Sequence, residues 1–353
     1  MATYRAPLRD IRFLLNNVFN VDQLFASMPD TAEVTDDLIV AIVEEAGKIA
    51  EGLLAPINSS GDAEACHFDN GTVTTPKGFK EAYKAFAEGG WPSLTGDVNY
   101  GGQGMPKMLS AVIEEMLFAA NSSFALYTIL NTGATLTLSH HGSDELKQRY
   151  LPKMYSGNWS GTMCLTEPHA GTDLGMIKTK AELQADGSYL LSGTKIFITA
   201  GEHDLTENII HLVLAKLPDA PPGPRGISLF LVPKFLVDES GMLTGERNTV
   251  ACGSIEHKMG IKASATCVMN FDSAVGYLVG EENQGLSHMF TMMNYERLSM
   301  GLQGNGLADS SYQLAAEYAK ERIQGRSATG AMQPELNADP IIVHPDVRRM
   351  LLT

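Results

Sequence analysis

Three side chains that can move protons fall within the stretch CLTEPHAGTD at 164–173: Glu167, His169 and Asp173. A carboxylate beside an imidazole is the usual material of general acid–base chemistry. The same string also supports a second reading. Pro168 stiffens a turn, and Ala170-Gly171 lets the backbone approach a ligand closely. One reading makes the stretch a proton-transfer cluster, the other a cradle. A further carboxylate, Glu296, precedes Arg297 in YERL. The glycine-rich YGGQGMP at 100–106 reads on its own as a turn. It is not a P-loop, and no G-x-G-x-x-G follows a strand, so neither common nucleotide fingerprint is present. The cysteines stand singly at 66, 164, 252 and 267. Without C-x-x-C pairs or zinc-type His spacing, no metal site is expected, and the single thiols point to a reducing compartment.

These residues need elements to position them. Residues 1–158 read mostly as helix. In 37–54 the apolar residues Leu38, Ile42, Ile49 and Leu53 recur at helical spacing. The apolar stretch 108–140 holds two helical patterns separated near ANSSF, and Ser143 is placed to N-cap another helix. Residues 159–280 change to β character. A hairpin turns at Asp186-Gly187, short strands follow in NIIHLVLAKL, GISLFLVP and TCVMNFDS, and PDAPPGPRG forms a loop. From 284 the pattern is helical again for about forty residues, with a core stripe of Leu286, Met289, Phe290 and Met293. Gly301, Gly304 and Gly306 weaken that helix unless close packing needs them. The expected fold is therefore α+β and multidomain. It comprises an N-terminal helical domain (1–158), a middle β-barrel-like domain (159–280) and the start of a C-terminal helical bundle (281–353). The last residues, HPDVRRMLLT, begin a helix with an apolar face that two turns cannot stabilise alone, so the chain is expected to be an N-terminal fragment.

The 353 residues carry 44% hydrophobic and 19% charged side chains, an ordinary globular composition. A net charge of −15 argues against nucleic acid and anionic membrane surfaces as partners. No secretory signal is visible and no apolar run suggests a membrane span, so a cytoplasmic protein is expected.

Several of these strings, in this order, resemble the acyl-CoA dehydrogenase family. CLTEPHAGTD is similar to its first signature, KIFITAG at 195–201 to its K-x-[WF]-I-[TS]-N-G strand, and ERIQGR to the end of its long helix. LVGEENQGL and YGGQG also match in order and spacing. The opening YRAPLRDIRFLLNNV resembles the longer subgroup that includes methylthiopropionyl-CoA dehydrogenases. Three positions depart from the pattern: Met176 stands where a small residue is usual, Ala200 replaces Asn, and RIQGR lacks an aromatic.

The resemblance implies FAD as cofactor and α,β-dehydrogenation of an acyl-CoA thioester. It also implies an electron-transfer flavoprotein as acceptor and a homodimer or homotetramer. By resemblance Met163, Leu165, Thr166, Gly171, Thr172, Phe197, Ile198 and Thr199 surround the flavin. Leu165 and Thr166 give backbone N–H groups to its polar edge, Phe197 packs on the ring, and the Thr199 hydroxyl sits beside N5. Thr172 touches flavin or the acyl-CoA phosphopantetheine, and Arg297 lies near the thioester arm. Arg322, supported by Gln324, reaches a neighbouring subunit's FAD pyrophosphate. Glu167 and Asp173 fix the loop by local hydrogen bonds, and His169 is a surface turn residue. The catalytic base of most of the family lies in a motif this chain lacks. Glu296 matches the place a minority uses, but its expected state is a helix-surface acid, solvated or paired with Arg297. A non-catalytic acyl-CoA or flavin scaffold, and an acyl-CoA oxidase, are the competing readings.

Overall fold

The computed structural model describes residues 4–353. Helices come first: α1 (Leu8–Phe13), α2 (Val21–Ala26), α3 (Asp36–Ile49), α4 (Asn58–Glu64), α5 (Phe79–Glu88), α6 (Lys107–His141) and α7 (Asp144–Tyr155). A small hairpin, β1 (His67–Asp69) and β2 (Thr72–Thr74), interrupts them. Nine strands follow: β3 (Trp159–Cys164), β4 (Lys180–Leu183), β5 (Tyr189–Thr199), β6 (Asn208–Lys216), β7 (Ile227–Pro233), β8 (Phe235–Val237), β9 (Leu243–Arg247), β10 (Val250–Ile255) and β11 (Thr266–Leu278). The chain returns to helix in α8 (Gly285–Glu321) and α9 (Pro345–Leu352). This is the α+β order expected from the sequence.

The buried face of α3 differs from the expected one. Ile39, Val43, Ala46 and Ala50 are buried, while Leu38 is exposed and Ile42, Ile49 and Leu53 are half-buried. Leu38 sits in the first turn, where its N–H bonds the Thr35 hydroxyl and the helix has not yet met the core. At the other end the helix passes into a π-turn at Ala50–Leu54. The extra residue of that wider turn shifts the phase and puts Leu54, not Leu53, inside.

Helix α6 is the central strut. By length and composition it could cross a membrane, contrary to the sequence expectation, yet 78% of its most apolar window is buried inside the protein. Its two halves meet at Asn121, whose backbone leaves helical geometry (φ −159°, ψ 90°). The Asn121 side chain accepts the Phe124 N–H at 3.1 Å and donates to Leu54 O at 3.3 Å. It therefore caps the second half from within the core. In α7, Ser143 caps as expected, its hydroxyl accepting the Leu146 N–H at 3.3 Å.

The large sheet closes on itself: β11 pairs with β5, β5 with β4, β4 with β6, β6 with β7, and β7 with β11. The weakest join is β4 to β6, a single residue pair, Lys180 with Lys216. β3 adds to β6 in parallel and β10 to β11. The β1–β2 hairpin, too short to read from the sequence, sends Val73 into the core of this sheet.

Helix α8 lies along α6, and Gly306 lets the two approach: a Cβ there would meet Glu115 O at 2.7 Å. Gly301 and Gly304 face open space, so close packing does not explain them. Of the expected stripe, Met289 is buried and Leu286 and Met293 pack against the core. Phe290 is half-buried and lies beneath the Arg297 guanidinium.

Candidate functional site

The site begins where β3 ends. After Cys164 the chain leaves the sheet, and Glu167 and Ala170 exchange two backbone hydrogen bonds, both 3.0 Å, across Pro168-His169. This tight bridge is the turn that the proline stiffens. The Glu167 side chain does not face solvent; it is 3% exposed. It accepts the Lys178 N–H at 2.7 Å, the Thr179 N–H at 3.0 Å, the Thr179 hydroxyl at 2.6 Å and Lys195 Nζ at 2.9 Å. Burial opposes its charge, but Lys195, Thr179 and the Lys178 N–H outweigh burial and hold the carboxyl below its ordinary pKa. A saturated, ionised carboxylate of this kind is an anchor and a poor proton acceptor. Asp173 accepts the Gly175 N–H at 3.0 Å and caps the next short turn. His169 is exposed, its Nε2 3.1 Å from Met176 O. His169 Nε2 also stands 3.6 Å from Glu167 Oε2, longer than a hydrogen bond, and that carboxylate is already held by Lys178, Thr179 and Lys195, so the three residues hold a loop.

The loop is tied to the end of β5. Ile196 N–H bonds Thr166 O at 2.9 Å, and Lys195 Nζ donates to Leu165 O at 3.0 Å. Both carbonyls are thus engaged, while the Leu165 and Thr166 N–H groups find no acceptor among the described residues. The reason lies in register. Between Ile198↔Cys267 and Lys195↔Met269 the ladder shifts, so Ile196 and Phe197 oppose the single residue Val268. Such a bulge re-aims side chains. Phe197 takes φ +59°, unusual for a bulky residue, and is 58% exposed. Ala200, where the resembled motif has Asn, also has a positive φ of 56°. Asn tolerates that conformation better than Ala does.

The structure thus brings Leu165 and Thr166 against Lys195–Thr199. Met163 is half-buried on β3, Ile198 is buried, and Thr199 pairs with Thr266 at the strand end. Gly171 and Thr172 are exposed on the same loop. Arg322 and Gln324 sit past the end of α8, exposed and 3.4 Å apart, with no hydrogen bond to this loop. Arg297 is exposed on α8, bonded to Asn294 at 3.2 Å.

Glu296 overturns its expected surface state. It is 8% exposed, it does not pair with Arg297, and its Oε1 has no hydrogen-bond partner. It packs against Gly133 of α6. Burial, reinforced by neighbouring Glu114, pushes its pKa up to about 8. Glu114 is itself buried, bonded to the Tyr295 hydroxyl and, at 2.7 Å, to Ser299. Burial raises its pKa too, partly offset by Tyr295, Ser299 and Lys107. An arginine next in sequence points away from Glu296 because adjacent helical positions lie about 100° apart.

Two matches to known families fit this arrangement. Residues 39–158 match the acyl-CoA dehydrogenase N-terminal domain, and residues 162–274 match the acyl-CoA dehydrogenase middle domain. The chain is 49% identical over 350 residues to 3-methylmercaptopropionyl-CoA dehydrogenase of Ruegeria pomeroyi, covering 99% of this chain and 59% of that protein.

The chain belongs to the acyl-CoA dehydrogenase family.

It is also 40% identical over 361 residues to a butyryl-CoA dehydrogenase of Syntrophomonas wolfei, covering 99% of this chain and 58% of that protein. Among solved structures, an acyl-CoA dehydrogenase of Bacillus anthracis complexed with FAD is 26% identical. Its TM-score is 0.71, over 90% of this chain and 48% of that one. The butyryl-CoA dehydrogenase of Megasphaera elsdenii shares the fold, with TM-score 0.72 at 23% identity over 91% of this chain and 75% of that one. The chain spans less than two thirds of the length of the first two relatives.

Two members of the site escaped the sequence reading of this acyl-CoA dehydrogenase relative. Lys195 shares the inward phase of β5 with Tyr189 and Leu191, and a lysine in that phase signals a buried partner. Glu114 lies four residues before buried Phe118 on α6, so it too was on an inward face.

Proposed function

We propose that the full-length protein is an FAD-dependent acyl-CoA dehydrogenase. The observation that carries this reading is the pair of unpartnered N–H groups at Leu165 and Thr166, held beside the outward-turned Phe197. A flavin ring is flat and apolar on its faces and rich in acceptors along one edge, which suits that donor set. When bound, FAD supplies an acceptor at N5 for the β-hydrogen of the acyl group, taken as hydride. Leu165 and Thr166 would hold the ring by its edge, Phe197 would cover a face, and Met163 and Ile198 would complete the apolar surround. The Thr199 hydroxyl, half-buried at the end of β5, would stand beside the redox-active part of the ring. Gly171 and Thr172 meet flavin or the phosphopantetheine arm, and Arg297 meets the thioester end of CoA. Arg322 and Gln324, both exposed, would reach the pyrophosphate of a neighbouring subunit's FAD by charge-assisted hydrogen bonds. The assembly is then a homodimer or homotetramer.

The carboxylate that takes the α-proton lies outside residues 1–353, in the length that the relatives add. The substrate becomes the 2-enoyl-CoA, and an electron-transfer flavoprotein collects the electrons. A cytoplasmic site fits the four free cysteines. The relatives' names favour dehydrogenation over the oxidase and scaffold readings.

The test is the visible spectrum of the full-length protein under anaerobic titration, starting with methylthiopropionyl-CoA and continuing through straight-chain acyl-CoAs. A flavin band that bleaches supports the proposal. A protein without flavin, or one no acyl-CoA reduces, ends it. Phe197→Ala gives a second check. An exposed side chain contributes little to folding, so the melting temperature should stay within about 2 °C of wild type. Loss of about 0.5–1.5 kcal/mol of ring stacking should weaken FAD binding roughly two- to twelvefold, read by flavin fluorescence.

A further inference from the structure

We propose that Lys195 is a positioning residue for the flavin edge, acting through the Leu165–Thr166 peptide group. The inference rests on the flavin reading above and deepens it. Lys195 is 0% exposed, and its Nζ holds Leu165 O at 3.0 Å and Glu167 Oε1 at 2.9 Å. A buried ion pair is often replaceable by apolar side chains at no loss of stability, so packing alone does not require a lysine here. What an apolar residue could not do is act on the peptide in front of it. Leu165 O and the Thr166 N–H belong to one peptide group. A cation on the oxygen draws electron density from the nitrogen and makes that N–H a stronger donor. The Thr166 N–H is the group without an acceptor among the described residues, and Thr166 O is pinned to Ile196, next to Phe197. The carbonyl of the Leu165–Thr166 peptide is therefore held by a cation, and its N–H is free.

Reduction adds negative charge to the polar edge of a flavin. A stronger donor at that edge favours the reduced form over the oxidised form. Glu167 works in the opposite sense. Its carboxylate tempers the Lys195 charge and, through Lys178 and Thr179, holds the cation in place. Lys195 and Glu167 together set how strongly the Thr166 N–H donates.

The full-length protein and four variants decide this: Lys195→Met, Lys195→Arg, Glu167→Gln and the double variant Lys195→Met/Glu167→Gln. Flavin affinity is read by fluorescence and the midpoint potential by dye-equilibrated reductive titration. In Lys195→Met the ratio of reduced- to oxidised-flavin affinity should fall about tenfold, a potential lower by about 30 mV for a two-electron couple. Lys195→Arg should recover most of that shift. Glu167→Gln should move the potential the other way, because the cation is then untempered. If Lys195→Met does not fold, the double variant, which leaves no unpaired buried charge, should still show the downward shift. An unchanged potential in the lysine variants, or shifts of the same sign in Lys195→Met and Glu167→Gln, overturns the proposal. A wild-type protein that binds no FAD overturns instead the flavin reading beneath it.

Discussion

Glu296→Gln is expected to make the protein markedly more stable at pH 8 and barely different at pH 4.5. The Glu296 pKa rises from its ordinary 4.5 to about 8 on folding. The folded state therefore holds this proton more tightly than the unfolded chain does. Between those two pH values the unfolded state has released the proton and the folded state has kept it, so stability falls as pH rises. Each pH unit is worth about 1.4 kcal/mol, so the full span approaches about 5 kcal/mol, lost by pH 8. Glutamine removes that slope. Its amide also replaces an oxygen that now has no partner. Denaturant titrations at the two pH values check this, and parallel curves for wild type and variant would refute it. The same variant locates the base. With the base outside residues 1–353, acyl-CoA should reduce the flavin of full-length Glu296→Gln within about tenfold of the wild-type rate. A loss of about a hundredfold or more would assign proton abstraction to Glu296.

Gly102→Ala is expected to destabilise by about 3 kcal/mol or more, and Gly101→Ala, one residue away, by only about 1–2 kcal/mol. A Cβ on Gly102 would stand 2.0 Å from the Gly96 carbonyl carbon and 2.5 Å from Asp97 N. Neither atom can retreat. The two stretches are joined by Gly102 N–H to Asp97 O at 2.9 Å, Gln103 N–H to Ser93 O at 2.9 Å and Gly104 N–H to Gly96 O at 3.0 Å. Gly101 has open space around it but a φ of +91°, so alanine there meets backbone strain alone. Equilibrium unfolding of both variants checks the ranking. Equal costs would mean that the zipped contact yields. Because this turn feeds directly into α6, which carries Glu114, its collapse would also disturb the helix pair that buries Glu296.

Much of the architecture could be read because local signals agreed with the final packing. The hairpin at Asp186-Gly187 has φ +84° at its glycine, and Ser143 caps α7 as its position suggested. The turn at Glu167–Ala170 was legible through its chemistry, since Pro168 stiffens the chain between the two residues that exchange backbone hydrogen bonds. Glu296 was misread because sequence shows what is adjacent, and Arg297 is adjacent along the chain yet on another face of the helix. Its actual neighbour, Glu114, comes from a helix 182 residues earlier in the sequence. Lys195 carries a weaker signal, since a lysine in a strand suggests solvent until its phase is counted. The β1–β2 hairpin was invisible because strands of three residues leave no period to detect.

The closed sheet has one thin seam, the single Lys180–Lys216 pair between β4 and β6. Directly before β4 lie Lys178 and Thr179, the residues through which Glu167 anchors the loop. Elements with few ladder bonds open first, long before the molecule as a whole unfolds. The amides that face this seam should therefore trade their protons with water faster than those between β6 and β7. Each opening would slacken the loop at its anchor, and anything seated on that loop would hold the seam shut. The barrel would then set the residence time of its own ligand: how long a cofactor stays would be governed by how often this one join lets go.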